Sequence, residues 1–182
     1  METMKSQLSG TDVALLGLLI ERPMHPWEIR KQVEYRDMGT WAGLARPTVY
    51  KVLESLESRG FVSSTESVVQ GRARRTYSIT QTGRKAMSGA VCHFMATPEY
   101  PRWLMDIAIY NSDVVGAGEA VNALDHYAET LRERARGWAD LEDFLRAEGC
   151  PPHRWALARR ARAMIAGELE WVQEFRAELA GI

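Results

Sequence analysis

Cysteine is nearly missing from this sequence: there are 2, Cys92 and Cys150, far apart and with no histidine at ligand spacing. Neither a disulfide framework nor a zinc site is expected, and such usage fits a reducing cytoplasm. Each thiol reads best as a small buried hydrophobe. Long apolar runs are missing too. Apart from one glycine, Val13 to Ile20 is the longest, far short of the roughly 20 residues that cross a bilayer. No small-residue cleavage site follows it, so the chain is expected to be soluble, unexported and without membrane contact. The sequence has no phosphate-cradling glycine loop, dinucleotide fingerprint, HExxH pair or glycine-serine-glycine elbow, and the 4 histidines (His25, His93, His126, His153) are scattered. No catalytic residue, metal ligand or cofactor is expected, and the chain reads as a non-enzyme.

Net charge is also small, at −1, but it hides an asymmetry. Residues 1–90 sum to +4 and residues 91–182 to −5. A basic half joined to an acidic half fits a local nucleic-acid surface on the first.

What the sequence does contain is helical periodicity broken by one patch of alternation. Ser9 and Thr11 offer caps to a first helix whose apolar positions include Val13, Leu16 and Ile20. Arg22-Pro23-Met24 breaks it. His25-Pro26-Trp27-Glu28 starts a second helix, with proline in the first turn and Ile29 and Val33 facing inward, ending near Arg36. Asp37 to Ala45 reads as a turn or short helical corner, and Arg46-Pro47-Thr48 opens a third helix running to Arg59. Val49, Val52, Leu53 and Leu56 form one face of it. Thr48, Lys51, Ser55 and Ser58 occupy the other, with Tyr50 on the flank. Small hydroxyls and one cation suit close approach to base edges and phosphates, whereas an ordinary solvated face would look alike.

Gly60 then stops the helix. Phe61 to Val69 and Arg75 to Thr80 read as two strands, joined by a loop, Gln70-Gly71-Arg72-Ala73-Arg74-Arg75, with three arginines in four residues. Such a loop would self-repel unless it met a polyanion, and reads as a basic wing on duplex DNA. The DNA-binding candidates are therefore Arg46, Thr48, Tyr50, Lys51, Ser55, Arg72, Arg74 and Arg75. The rival reading is a winged domain acting as a protein or RNA adaptor.

The segment ARPTVYKVLESLESRGFV (Ala45 to Val62), preceded by HPWEIRKQV (His25 to Val33) and followed by TYSITQTGRKAM (Thr76 to Met87), resembles the PadR family of transcriptional regulators. The resemblance covers about half the chain. It implies a winged helix-turn-helix, dimerisation through C-terminal helices, and repression that a small ligand relieves in some members. Pro26-Trp27 and Ala45 depart from the family pattern.

Beyond Thr80 there is no strand signal. A helix continues through Met87 and Val91 towards Met95, and Pro98 and Pro101 mark a break. This divides the chain into a DNA-binding domain, 1–96, and a helical dimerisation domain, 97–182. Trp103 to Tyr110 is apolar, and Ser112-Asp113 offers a cap to the next segment. Val121, Leu124, Ala128, Leu131, Ala135, Trp138 and Leu145 keep a 3-4 spacing that Glu142 interrupts. Gly149-Cys150-Pro151-Pro152 ends this helix, and a final one carries Trp155, Ala158, Ile165, Leu169, Val172 and Leu179. These stripes are expected to pack against a second copy as a homodimer, an intramolecular hairpin being the other solution. Phe94, Tyr100, Trp103, Met105 and Tyr110 cluster where a small aromatic or apolar effector could bind. The expected fold is thus mainly α with a small two-stranded β-wing: a winged helix-turn-helix plus a C-terminal helical domain.

Overall fold

The computed structural model describes residues 8–69, 72–99 and 102–181. The chain divides into two compact units, Met1–Tyr100 and Pro101–Ile182.

In the first unit, α1 (Gly10–Glu21) begins at a reciprocal cap: the Ser9 hydroxyl accepts from the Asp12 amide at 3.2 Å and the Asp12 carboxylate from the Ser9 amide at 3.0 Å. Leu15, Leu16, Leu18 and Leu19 are all buried, so α1 is the central helix rather than a one-sided surface helix. Pro26 opens α2 (Pro26–Tyr35), and the Glu28 carboxylate accepts the His25 amide at 2.9 Å. Burial pushes the Glu28 carboxyl up, but the His25 amide and the Arg22 guanidinium more than offset this and hold it below its ordinary value. The corner is a short helix, α3 (Met38–Ala42), entered at left-handed Asp37 and left at left-handed Gly43. A 3-10 turn, Arg46–Thr48, leads into α4 (Val49–Ser58), which buries Val49, Leu53 and Leu56. Gly60, at φ 73°, reverses the chain, and the Phe61 amide bonds back to the Leu56 carbonyl at 2.9 Å.

Strands β1 (Val62–Val69) and β2 (Arg72–Ile79) pair antiparallel, from Val62 opposite Ile79 to Val69 opposite Arg72. Arg72 and Arg74 therefore belong to the same strand as Arg75, correcting the expectation that they sit in the loop before it. Cross-strand partners at Val69, Val68 and Ser67 extend the ladder three residues further than local alternation suggests. Met24 pairs with Tyr77 on the other edge of β2 through two backbone bonds, at 3.1 and 2.9 Å. Thr80 caps α5 (Gln81–Ala96). There Gly83 lies so close to the Phe61 carbonyl that a Cβ would stand 2.1 Å from its oxygen. Cys92 is exposed on α5 and Cys150 half-buried, so neither is the buried hydrophobe expected.

The second unit contains α6 (Leu104–Tyr110), α7 (Ala117–Ala147) and α8 (Pro152–Ala180). Ser112 and Asp113 fall in a 3-10 turn instead of capping α7. Gly116 takes the N-cap, because the Glu119 carboxylate reaches its amide at 3.4 Å. Helices α7 and α8 pack against each other antiparallel: Arg176 bonds Asp125 near one end at 2.6 Å, and Arg162 bonds Glu142 near the other at 2.9 Å. Leu124, Ala128 and Val172 form the seam, flanked by Leu169 and a stacked Trp171–Phe175 pair at 5.4 Å. The stripes thus meet within one chain, the hairpin solution. Glu142, the residue that interrupts the apolar spacing, is 5% exposed and accepts from Arg146 at 2.7 Å as well as from Arg162. The Arg146 hydrogen bond outweighs burial and, with Arg162, holds its carboxyl below the ordinary value. The architecture is the mainly helical one expected, with a two-stranded wing and long C-terminal helices.

Candidate nucleic-acid interface

Because Val49, Leu53 and Leu56 are committed to the core, the opposite side of α4 must face water. Thr48, Lys51, Ser55 and Ser58 are exposed there, and Tyr50 is 48% exposed on the flank. The Thr48 hydroxyl donates to the Ala45 carbonyl at 2.7 Å and the Ser58 hydroxyl to the Ser55 carbonyl at 2.9 Å, which fixes both rotamers. Lys51 is exposed, whereas Arg46 pairs with Glu34 at 3.1 Å. Both members of that pair are exposed, so the contact is weak and exchangeable.

Alternation along the wing sorts its side chains onto two faces. Tyr77 and Ile79 turn to the core with Val62. The other face pairs Ser63 with Ser78, Thr65 with Thr76 and Ser67 with Arg74, a row of hydroxyls ending at an exposed arginine. Arg72 begins β2; its side chain, with Gln70 and Gly71, lies outside the described residues. Arg75 falls on the core face. Its guanidinium bonds the Glu57 carboxylate at 2.8 Å and the Ser64 hydroxyl at 2.8 Å, and lies 5.2 Å over the Tyr77 ring.

The structure adds candidates that sequence reading missed. On α2, Arg30 lies 5.9 Å over the Tyr50 ring and Lys31 4.9 Å over the half-exposed Trp27 ring. The adjacent Arg-Lys pair was visible in the sequence, but its proximity to α4 depends on the packing of α2 against it.

The effector candidates fall in both units. Trp103 and Met105 line an open apolar depression with Leu104, Ala108, Arg102 and Tyr127, whose hydroxyl donates to Glu168 at 3.1 Å. Tyr110 is 88% exposed and does not line it. Phe94 belongs to the first unit, on α5, tilted against His93, and Tyr100 lies outside the described residues. Among the described residues no His, Cys, Asp and Glu cluster could hold a metal ion, and no helix is long and apolar enough to cross a membrane.

No curated protein sequence matches the chain. In fold, it is similar to Bacillus subtilis PadR in complex with operator DNA, with 16% identity, a TM-score of 0.76, and coverage of 92% of this chain and 98% of that one. It is likewise similar to the same protein in complex with p-coumaric acid, at 15% identity and a TM-score of 0.78, covering 94% of this chain and 96% of that one. The Vibrio cholerae virulence activator AphA has 21% identity and a TM-score of 0.64, covering 94% of this chain and 98% of that one. Residues 15–89, which hold most of the capped central helix, α4 and the wing, match the transcriptional regulator PadR-like family. The first unit of this chain therefore carries a PadR-like domain.

Proposed function

We propose that this chain is a sequence-specific transcriptional regulator, a repressor that binds a double-stranded operator as a homodimer and is released by a small aromatic or apolar effector. One observation carries the reading: the exposed polar face of α4 and the hydroxyl-and-arginine face of the wing are displayed by the same small unit. In this reading α4 enters the major groove, where Thr48, Lys51 and Ser55 reach base edges or phosphates. Tyr50 and Arg46 bond the backbone, and Arg72 and Arg74 meet neighbouring phosphates. Exposed apolar residues of the second unit, Leu104, Ile107, Tyr110 and Val114, support pairing with a second copy. The operator and p-coumaric acid complexes of the Bacillus subtilis protein support the operator and effector parts.

Fluorescence anisotropy with duplex DNA from upstream of the protein's own gene, over a salt series, tests this. Specific binding that weakens linearly in log salt is the expected result. Equal affinity for operator and scrambled duplex would refute sequence reading, and no affinity for duplex would favour the adaptor. Footprint symmetry reads out the dimer.

A further inference from the structure

Arg75 does not share the environment of Arg74. It belongs to a closed group of three side chains from three elements: Arg75 on β2 donates to Glu57 on α4 and to Ser64 on β1, and Ser64 donates in turn to Glu57. The face of its guanidinium rests on Tyr77, which is buried and paired through its backbone to Met24. The backbone carbonyl of Arg75 lies 2.9 Å from His25 Nδ1. A cation held in this way has its charge answered by a half-buried carboxylate and its planar group fixed in orientation. Glu57 is the complementary oddity, an acidic residue on the helix proposed to meet a polyanion.

We propose that Arg75 is a positioning residue and not a phosphate ligand: with Glu57 it ties the base of the wing to α4, setting where Arg74 and the hydroxyl row stand relative to Lys51. This rests on the operator-binding reading above. The two roles predict opposite signs for Glu57. If charge alone mattered, Glu57→Gln would remove a repulsion and tighten DNA binding. With the tie broken, it weakens binding by roughly tenfold, the scale of coupling between side chains in one network.

The experiment combines duplex anisotropy over a salt series with hydrogen exchange of the free protein, for Glu57→Gln, Arg75→Gln, their double variant and Arg74→Gln. The tie predicts that Glu57→Gln and Arg75→Gln each weaken binding, that the double variant is no worse than either, and that the salt slope stays at the wild-type value. Arg74→Gln instead lowers the slope by about 0.9, one phosphate's worth. In the free protein, amides of residues 62–66 and 75–79 exchange faster in both single variants, while those of α1 keep their protection. A slope that falls with Arg75→Gln, tighter binding by Glu57→Gln, or unchanged wing exchange would each overturn the proposal. If the wild type binds no duplex, the operator reading fails by itself, and the exchange measurement still judges the tie.

Discussion

Replacing Gly83 with alanine probes the junction on which the wing depends. A Cβ there would stand 2.1 Å from the Phe61 carbonyl oxygen, 2.9 Å from its carbon and 3.0 Å from the Ile79 side chain. A carbon settles against a carbonyl oxygen at about 3.3 Å, so α5 and the Phe61 turn must separate by roughly 1.2 Å. That carbonyl accepts the Thr80 amide at 3.0 Å and the Thr80 hydroxyl at 3.2 Å, and the same hydroxyl caps the Gly83 amide at 2.9 Å. Overpacking costs about 2 kcal/mol, a weakened cap about 1 and a weakened carbonyl bond about 1, against a gain of about 1 from alanine's helix propensity. The net loss is about 3 kcal/mol, which lowers the melting temperature of a unit this size by roughly 12–24 °C. Gly89, on the same helix, has open space where a methyl group would stand, with no neighbouring atom within 4 Å, so Gly89→Ala is expected to stabilise by up to about 1 kcal/mol. Calorimetry of the two variants side by side checks both signs. A Gly83→Ala protein that melts with the wild type would refute the close approach.

Other perturbations follow from the same geometry. Lys51→Ala is expected to cost about 1–3 kcal/mol on the preferred operator and to relax discrimination against substituted sites, measured by competition binding. On the proposed reading, Trp103→Ala is expected to abolish the effector response while leaving operator affinity intact, read by titrating small aromatic acids into the DNA complex. Glu142 is held below its ordinary value, so its contribution is present above the unfolded value and lost as pH falls through the folded one. Acid unfolding of the second unit below the ordinary carboxylate range should therefore be blunter in Glu142→Gln, followed by circular dichroism against pH.

Elements fixed by near neighbours were legible in the sequence. Ser9 with Asp12, Pro26 with Glu28, and the spacing of Val49, Leu53 and Leu56 each act within one or two helical turns, so α1, α2 and α4 could be read directly. The exposed polar face of α4 follows from the same periodicity. Contacts between distant residues were not legible. The onset of β2 depends on partners across the hairpin, and the engagement of Arg75 on Glu57, 18 positions away in sequence. Counting arginines suggested a cationic wing but could not reveal that one of them is held by a carboxylate of α4. In the same way, the stripes of α7 and α8 look identical whether they meet each other or a second chain. Glu142 looked like a flaw in the seam because its two arginine partners lie on different turns and helices.

The ion pairs of the helical hairpin limit how that unit can move. Asp125 and Glu142 are 17 residues apart on α7, about 26 Å along its axis, and each is clamped by an arginine of α8. Sliding one helix past the other by a turn would break both clamps together and leave Glu142 held only by Arg146 of its own helix. The hairpin is thereby cross-linked at two points along its length, and both links oppose a ratchet of one helix along the other.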